Sequence, residues 1–153
     1  MTVRLTRALL VAAAVLVLGA VNWSIAAKER VRANGERIYL ELAPVDPRSL
    51  MQGDYMALRF SLADSIPTSD GGSVPLLVDS RGVATLSRDH QSHGLRIRYR
   101  IRNGQVWLGT NAYFFEEGTA ERYRGARYGE FRVDRDSGEA VLVGLANEKF
   151  QRL

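Results

Sequence analysis

A chain of 153 residues has room for one domain plus an anchor, and the complete lack of cysteine excludes a disulfide framework, a thiol nucleophile and any Cys-ligated metal. The net charge of +4 invites a nucleic-acid reading, yet two of the 21 Lys and Arg residues precede an apolar N-terminal segment and all 17 acids follow it. The remaining 19 cations against 17 acids leave only +2, too small and too mixed for binding a phosphate backbone, so no nucleic acid is expected as a partner.

Residues 1–7 form a short basic tail carrying Arg4 and Arg7. From Ala8 to Ala27 only Asn22 and Ser24 are polar, and Trp23 stands near the far end, the pattern of a transmembrane anchor with an interfacial aromatic. The rival is a cleaved signal peptide, with Ser24-Ile25-Ala26 as the small-x-small site, which would leave a soluble periplasmic protein. The stretch is long for that role, and an uncleaved signal-anchor is the preferred reading. Lys28, Arg30, Arg32 and Arg37 nearly balance the basic tail, but a short acid-free tail favours the N-terminus inside and the domain outside the cytoplasmic membrane, in a periplasm where an outer membrane exists. Residues 28–36, KERVRANGE, read as a polar stalk that extends the anchor helix until Asn34-Gly35 breaks it, leaving 37–153 as the extracytoplasmic domain.

Ile38 to Ala43 is expected as the first strand, leading into the densest stretch of specified geometry, Pro44 to Leu62. Asp46 before Pro47 signals a helix start and Gly53 a stop, which predicts a single helical turn over 47–51 with Gly53 left-handed. From Tyr55 to Leu62, Met56, Leu58, Phe60 and Leu62 alternate with Tyr55, Ala57, Arg59 and Ser61, which predicts a strand with one core face. Asp54 serves either as a turn acceptor that pairs with Arg59 or as part of a recognition patch with Tyr55 and Arg59.

Gly53-Asp54-Tyr55-Met56-Ala57-Leu58-Arg59-Phe60, together with the flanking ELAPVDPRSLMQ, resembles a family of bacterial membrane-anchored proteins distinguished by a GDYxxLxY motif. The resemblance runs from the N-terminal apolar segment to about Leu145. It departs at Phe60, where the family has Tyr; the ring is kept and the hydroxyl lost, which favours core packing over catalysis at that position. The resemblance implies a tethered extracytoplasmic domain associated with multi-spanning membrane proteins. It implies no reaction.

Ala63 to Ser73 is rich in Ser, Asp, Gly and Pro and is expected as an exposed loop. Val74 to Val78 and Val83 to Leu86 read as a hairpin across Asp79 to Gly82. The following loop holds His90 and His93 beside Asp89, an H-x-x-H pair that lacks further ligands for a metal site. Leu95 to Leu108 is the clearest local structure: Leu95, Ile97, Tyr99 and Ile101 alternate with Arg96, Arg98, Arg100 and Arg102, and Asn103-Gly104 closes a tight primed turn into Gln105 to Leu108. That register sets Arg100 opposite Trp107 and predicts a guanidinium stacked on the indole. The arginine face is either solvated and balanced by the seven acids between Glu116 and Glu139 or a site for an anionic group.

Tyr113 to Phe115 is assigned to a strand end, and Thr119 to Arg127 to a short helix capped by Thr119. Gly129-Glu130-Phe131 opens another strand, a turn follows at Asp134 to Gly138, and a last strand runs from Ala140 to Leu145. The echo of Gly53-Asp54-Tyr55 in Gly129-Glu130-Phe131 suggests equivalent halves of one sheet.

The expected fold is α+β, with one N-terminal transmembrane helix and a β-rich, mainly antiparallel single domain with short helices. No catalytic residue, cofactor fingerprint or metal set is assigned, so no enzyme activity is expected. The function expected is that of a membrane-anchored accessory or assembly subunit of the bacterial cell envelope, lodged in the lipid bilayer and binding a multi-spanning membrane protein. Asp54, Tyr55, Arg59, Arg96, Arg98, Arg100 and Trp107 are its contact candidates. The alternatives are an envelope polymer or an anionic lipid headgroup bound on the arginine face, or a hydrolase using carboxylates or His.

Overall fold

The computed structural model describes residues 3–43, 51–52, 55–68, 70–88 and 94–153. The apolar residues of the N-terminal segment lie in α1 (Val3–Asn34), one unbroken helix, and its large apolar side chains from Leu5 to Ile25 are exposed. At about 1.5 Å per residue its 32 residues are long enough, and its first two thirds apolar enough, to cross a membrane.

Only the last turns of α1 meet the head. Val31 is buried, the Gly35 amide donates to the Val31 carbonyl at 2.8 Å, and Arg132 Nη1 donates to the Gly35 carbonyl at 3.1 Å. A Cβ on Gly35 would stand 2.5 Å from Val31 O and 3.0 Å from Val133 N, so only glycine lets the helix end and the sheet approach this closely. Lys28 Nζ pairs with Glu139, a second tie between helix and head.

Among the described residues, three antiparallel sheets build the head. In the first, β9 (Tyr128–Val133) lies between β1 (Glu36–Glu41) and β10 (Ala140–Ala146), with Ile38 and Leu142 flanking Phe131 and a bulge between Leu142 and Gly144. In the second, β3 (Tyr55–Ala57) lies between β2 (Met51–Gln52) and β8 (Ala112–Phe114). The third runs in the order β5 (Ala84–Leu86), β4 (Gly72–Val78), β6 (Arg96–Arg102), β7 (Gln105–Trp107). A 3₁₀ turn, Ser61–Ser65, and α2 (Ala120–Tyr123) complete it. The core they enclose is led by Phe60, Phe131, Ile38, Leu40, Ile97 and Leu108. The fold is therefore α+β: one long apolar helix, then antiparallel sheets with few short helices.

Several expectations are corrected. Met51 pairs in β2 rather than ending a helical turn. The strand from Tyr55 stops at Ala57, and Leu62 belongs to the 3₁₀ turn, yet Met56, Leu58, Phe60 and Leu62 are all buried, because the alternation governs which side chains turn inward even where ladder pairing ends. The loop over 63–73 is shorter than expected, since Ile66 is buried and Gly72 and Ser73 pair in β4. Thr119 does not cap α2; its hydroxyl donates back to the Glu116 carbonyl at 2.7 Å. Tyr55 and Phe131 lie in different sheets, so the two Gly-acid-aromatic segments are not halves of one. Asp46, Pro47, Gly53, Asp54, His90 and His93 lie outside the described residues.

Candidate functional site

The segment after Tyr55 is held on both sides by backbone bonds. β3 pairs Tyr55 with Phe114 and Met56 with Tyr113. Further on, the Leu58 amide donates to Asn111 O at 2.7 Å, and the Ala43 amide donates to Arg59 O at 2.8 Å. Leu58 and Phe60 are thereby delivered to the core, where burying a side chain of either size contributes about 1.5–3 kcal/mol. Phe60 meets Phe131 edge to face, and Leu58 and Phe60 play a packing part.

This segment borders a cleft of about 550 Å³. Leu58, Arg59 and Phe60 line it from one segment, and Gln105, Val106 and Asn111 from β7 and the loop beyond it. Among the described residues Arg59 pairs with Asp64: its Nε and Nη2 donate to Asp64 Oδ1 at 3.2 and 2.7 Å, from the 3₁₀ turn that directly follows. Asp64 was not singled out in the sequence, although a carboxylate five residues from Arg59 within a tight turn is a short-range partner.

Beside the cleft's segment, Tyr55 is half-buried with its ring 5.7 Å from that of Phe114, and Phe114 is 74% exposed. Phe114 and Leu77 are the large apolar side chains that the described part of the head leaves exposed. The signal for Phe114 was present in Tyr113-Phe114-Phe115: three consecutive aromatics on a strand send the middle one to the face opposite its neighbours. Tyr113 goes inward against Tyr123, and burial, then the hydrogen bond with Tyr123, pushes its hydroxyl above the ordinary tyrosine range.

The second surface is a basic concavity of about 120 Å³ where Lys28, Arg98, Arg100, Arg102, Trp107 and Glu139 converge. The β6–β7 hairpin builds it: Asn103 at φ 50 and Gly104 at φ 70 form the tight turn, with Arg102 opposite Gln105 and Arg100 opposite Trp107. The stacked guanidinium is nevertheless that of Arg102, 5.1 Å from the Trp107 ring centre, a diagonal rather than a direct neighbour across the twisted pair. Arg96 is drawn off the face, its Nε and Nη2 donating to Ser73 Oγ and O at 3.1 and 2.9 Å. Arg98 and Arg100 have no acceptor for their guanidinium groups among the described residues. Of the seven acids expected to balance them, three pair with other cations: Glu139 with Lys28, Glu121 with Arg124 at 2.6 Å, and buried Glu130 with Arg152 at 3.3 Å. Nothing local in the sequence links Lys28, in the polar stretch 28–36, to position 98.

The fold and these surfaces define a protein of one N-terminal helix of membrane-crossing length and an antiparallel α+β head with a motif-lined cleft. Residues 17–145, from within α1 to Leu145 in β10, match the family described as GDYXXLXY protein, and the chain belongs to that family. No curated protein and no solved structure matches it.

Proposed function

We propose that this chain is a membrane-anchored accessory or assembly subunit, lodged in the cytoplasmic membrane by α1 with its N-terminus inside. In this reading its head lies outside the membrane and binds a multi-spanning membrane protein without catalysing a reaction. The observation that carries it is the mixed surface at the family motif: a cleft lined by Leu58, Arg59 and Phe60, and close by an aromatic, Phe114, that the protein's own core does not cover. An exposed aromatic beside a cleft rimmed by an ion pair resembles the centre and rim of a protein interface. The span supports confinement to the same membrane as the partner, which raises its local concentration without any further contact.

The test is photo-cross-linking in the native host with the probe at position 114 and a control at exposed Thr85. A single membrane protein captured from 114 and not from 85, and lost when Tyr55 is replaced by Ala in a folded head, supports the proposal. Equal capture from both positions, or none from 114, overturns it.

A further inference from the structure

Lys28 is the first residue beyond the apolar stretch that ends at Ala27, and α1 continues through it without a break. If α1 spans the membrane, as proposed above, Lys28 stands at the boundary between hydrocarbon and headgroups. The helix turns that dock on the head, at Val31 and Gly35, lie beyond it. The concavity that Lys28 shares with β6 therefore lies at the level of that boundary, whichever way the helix inserts. The chain's two tryptophans agree with that level: Trp23 is exposed on α1 about 7.5 Å before Lys28 along the axis, and Trp107 lines the concavity itself. Tryptophan is enriched at that depth because its ring is apolar and its N–H is polar.

The charges at this level are one-sided. Glu139, the one carboxylate of the concavity, is taken up by the Lys28 ammonium, which leaves Arg98, Arg100 and Arg102 without a paired carboxylate among the described residues. Arg102 is steadied on the Trp107 ring, so its planar fork is ordered before any ligand arrives. Guanidinium forks match phosphate oxygens in pairs, and an anionic membrane surface attracts cations held at its edge.

We propose that this concavity holds the phosphate of an anionic phospholipid headgroup in the leaflet next to the head, fixing the head's tilt on the membrane. The experiment uses the full chain in neutral detergent with equal amounts of phosphatidylglycerol and phosphatidylcholine, and native mass spectrometry counts the lipids retained. The wild type should retain phosphatidylglycerol in clear excess. Arg98→Gln/Arg100→Gln should lower that excess by roughly twenty-five-fold, since each arginine near an anionic surface is worth about a fivefold change. Arg30→Gln/Arg32→Gln, which removes two exposed cations of α1 outside the concavity, should preserve it, and circular dichroism should show all three folded.

Phosphatidylcholine retained equally by the wild type overturns the proposal while leaving the span intact. So does an excess that survives Arg98→Gln/Arg100→Gln, or one that the control pair abolishes as fully. Loss of phosphatidylglycerol on adding millimolar inorganic phosphate would assign the site to the free ion and overturn the lipid assignment. A chain that retains neither lipid and stays monodisperse without detergent would refute the membrane-span reading, and the headgroup proposal with it.

Discussion

The ring of Phe60 meets that of Phe131 edge to face, with 5.2 Å between centroids and 71° between planes, and it lies over the bare backbone of Gly129. A Cβ at 129 would stand 2.8 Å from Phe60 Cε1 and 3.0 Å from Phe131 Cε2. The last position of the motif and the Gly-acid-aromatic segment of β9 are thus packing partners across the core. Gly129→Ala should destabilise the head by about 1–3 kcal/mol, as overpacking does in a filled core. Phe60→Leu removes the atom in the way, so the double variant should lose clearly less than the two single losses added together. Chemical denaturation of the four proteins gives the coupling, and strict additivity would mean that the Phe60 ring does not rest on Gly129.

The junction of helix and head depends on Gly35. Its neighbours are backbone atoms of Val31, Arg132 and Val133, which cannot swing aside as a side chain can. Gly35→Ala should therefore loosen α1 from β9 and β10 while leaving each element formed. A carbodiimide, which joins contacting amines and carboxylates, should link Lys28 to Glu139 in the wild type and do so several-fold less in the variant. Unchanged yield of that cross-linked peptide would show that the junction tolerates a methyl group.

Phe114 is exposed, so Phe114→Ser should change stability by no more than about 0.5 kcal/mol. If it anchors a partner, capture should fall at least tenfold, the loss typical of an interface hot spot. Melting temperature and pull-down yield of the same sample separate the two effects.

The chain's lack of cysteine makes membrane sidedness directly measurable. A single Glu148→Cys, at an exposed site in the head, should react in intact spheroplasts with a maleimide that does not cross membranes. Reaction only after lysis would place the head in the cytoplasm and reverse the proposed orientation.

Two turn carboxylates set an acid limit. Asp79 accepts from the Val83 and Arg81 amides and from the Arg81 guanidinium, and the amide bond to Val83 above all holds its pKa below the ordinary value. Asp134 accepts from the Ser137 amide and hydroxyl, which lower it likewise. With both pKa values depressed on folding, the unfolded chain binds more protons as the pH approaches 4 from above. Their contribution is complete above the unfolded value and is lost as the pH falls through the lower folded values. Asp79→Asn/Asp134→Asn should therefore show a shallower decline of stability below about pH 4 than the wild type, and identical slopes would remove the two aspartates from the acid transition.

Much of this arrangement was legible in local patterns. The apolar run of α1, the period of two in β6, and the Asn103-Gly104 turn with its register all follow from steric preferences acting over a few residues. The inward faces of Met56, Leu58, Phe60 and Leu62 follow from the same period. The pairings that decide the candidate sites were not legible in this way. Arg59 chose Asp64 because a 3₁₀ turn folded the chain back beside it, where an extended strand would have carried the carboxylate away. Arg102 rather than Arg100 reached Trp107 because strand twist shifts neighbours onto the diagonal.

The widest gap is between Lys28 and the arginines of β6, which stand about 70 residues apart in sequence and line one concavity. Periodicity and turn chemistry act within single elements, so they establish that there is a long apolar helix, which strand faces are apolar, and where the hairpins turn. Sheet membership, the docking of α1 and the isolation of Arg98 and Arg100 from the described acids arise from packing between distant segments, where many partners satisfy the same local pattern and only the closed core selects among them.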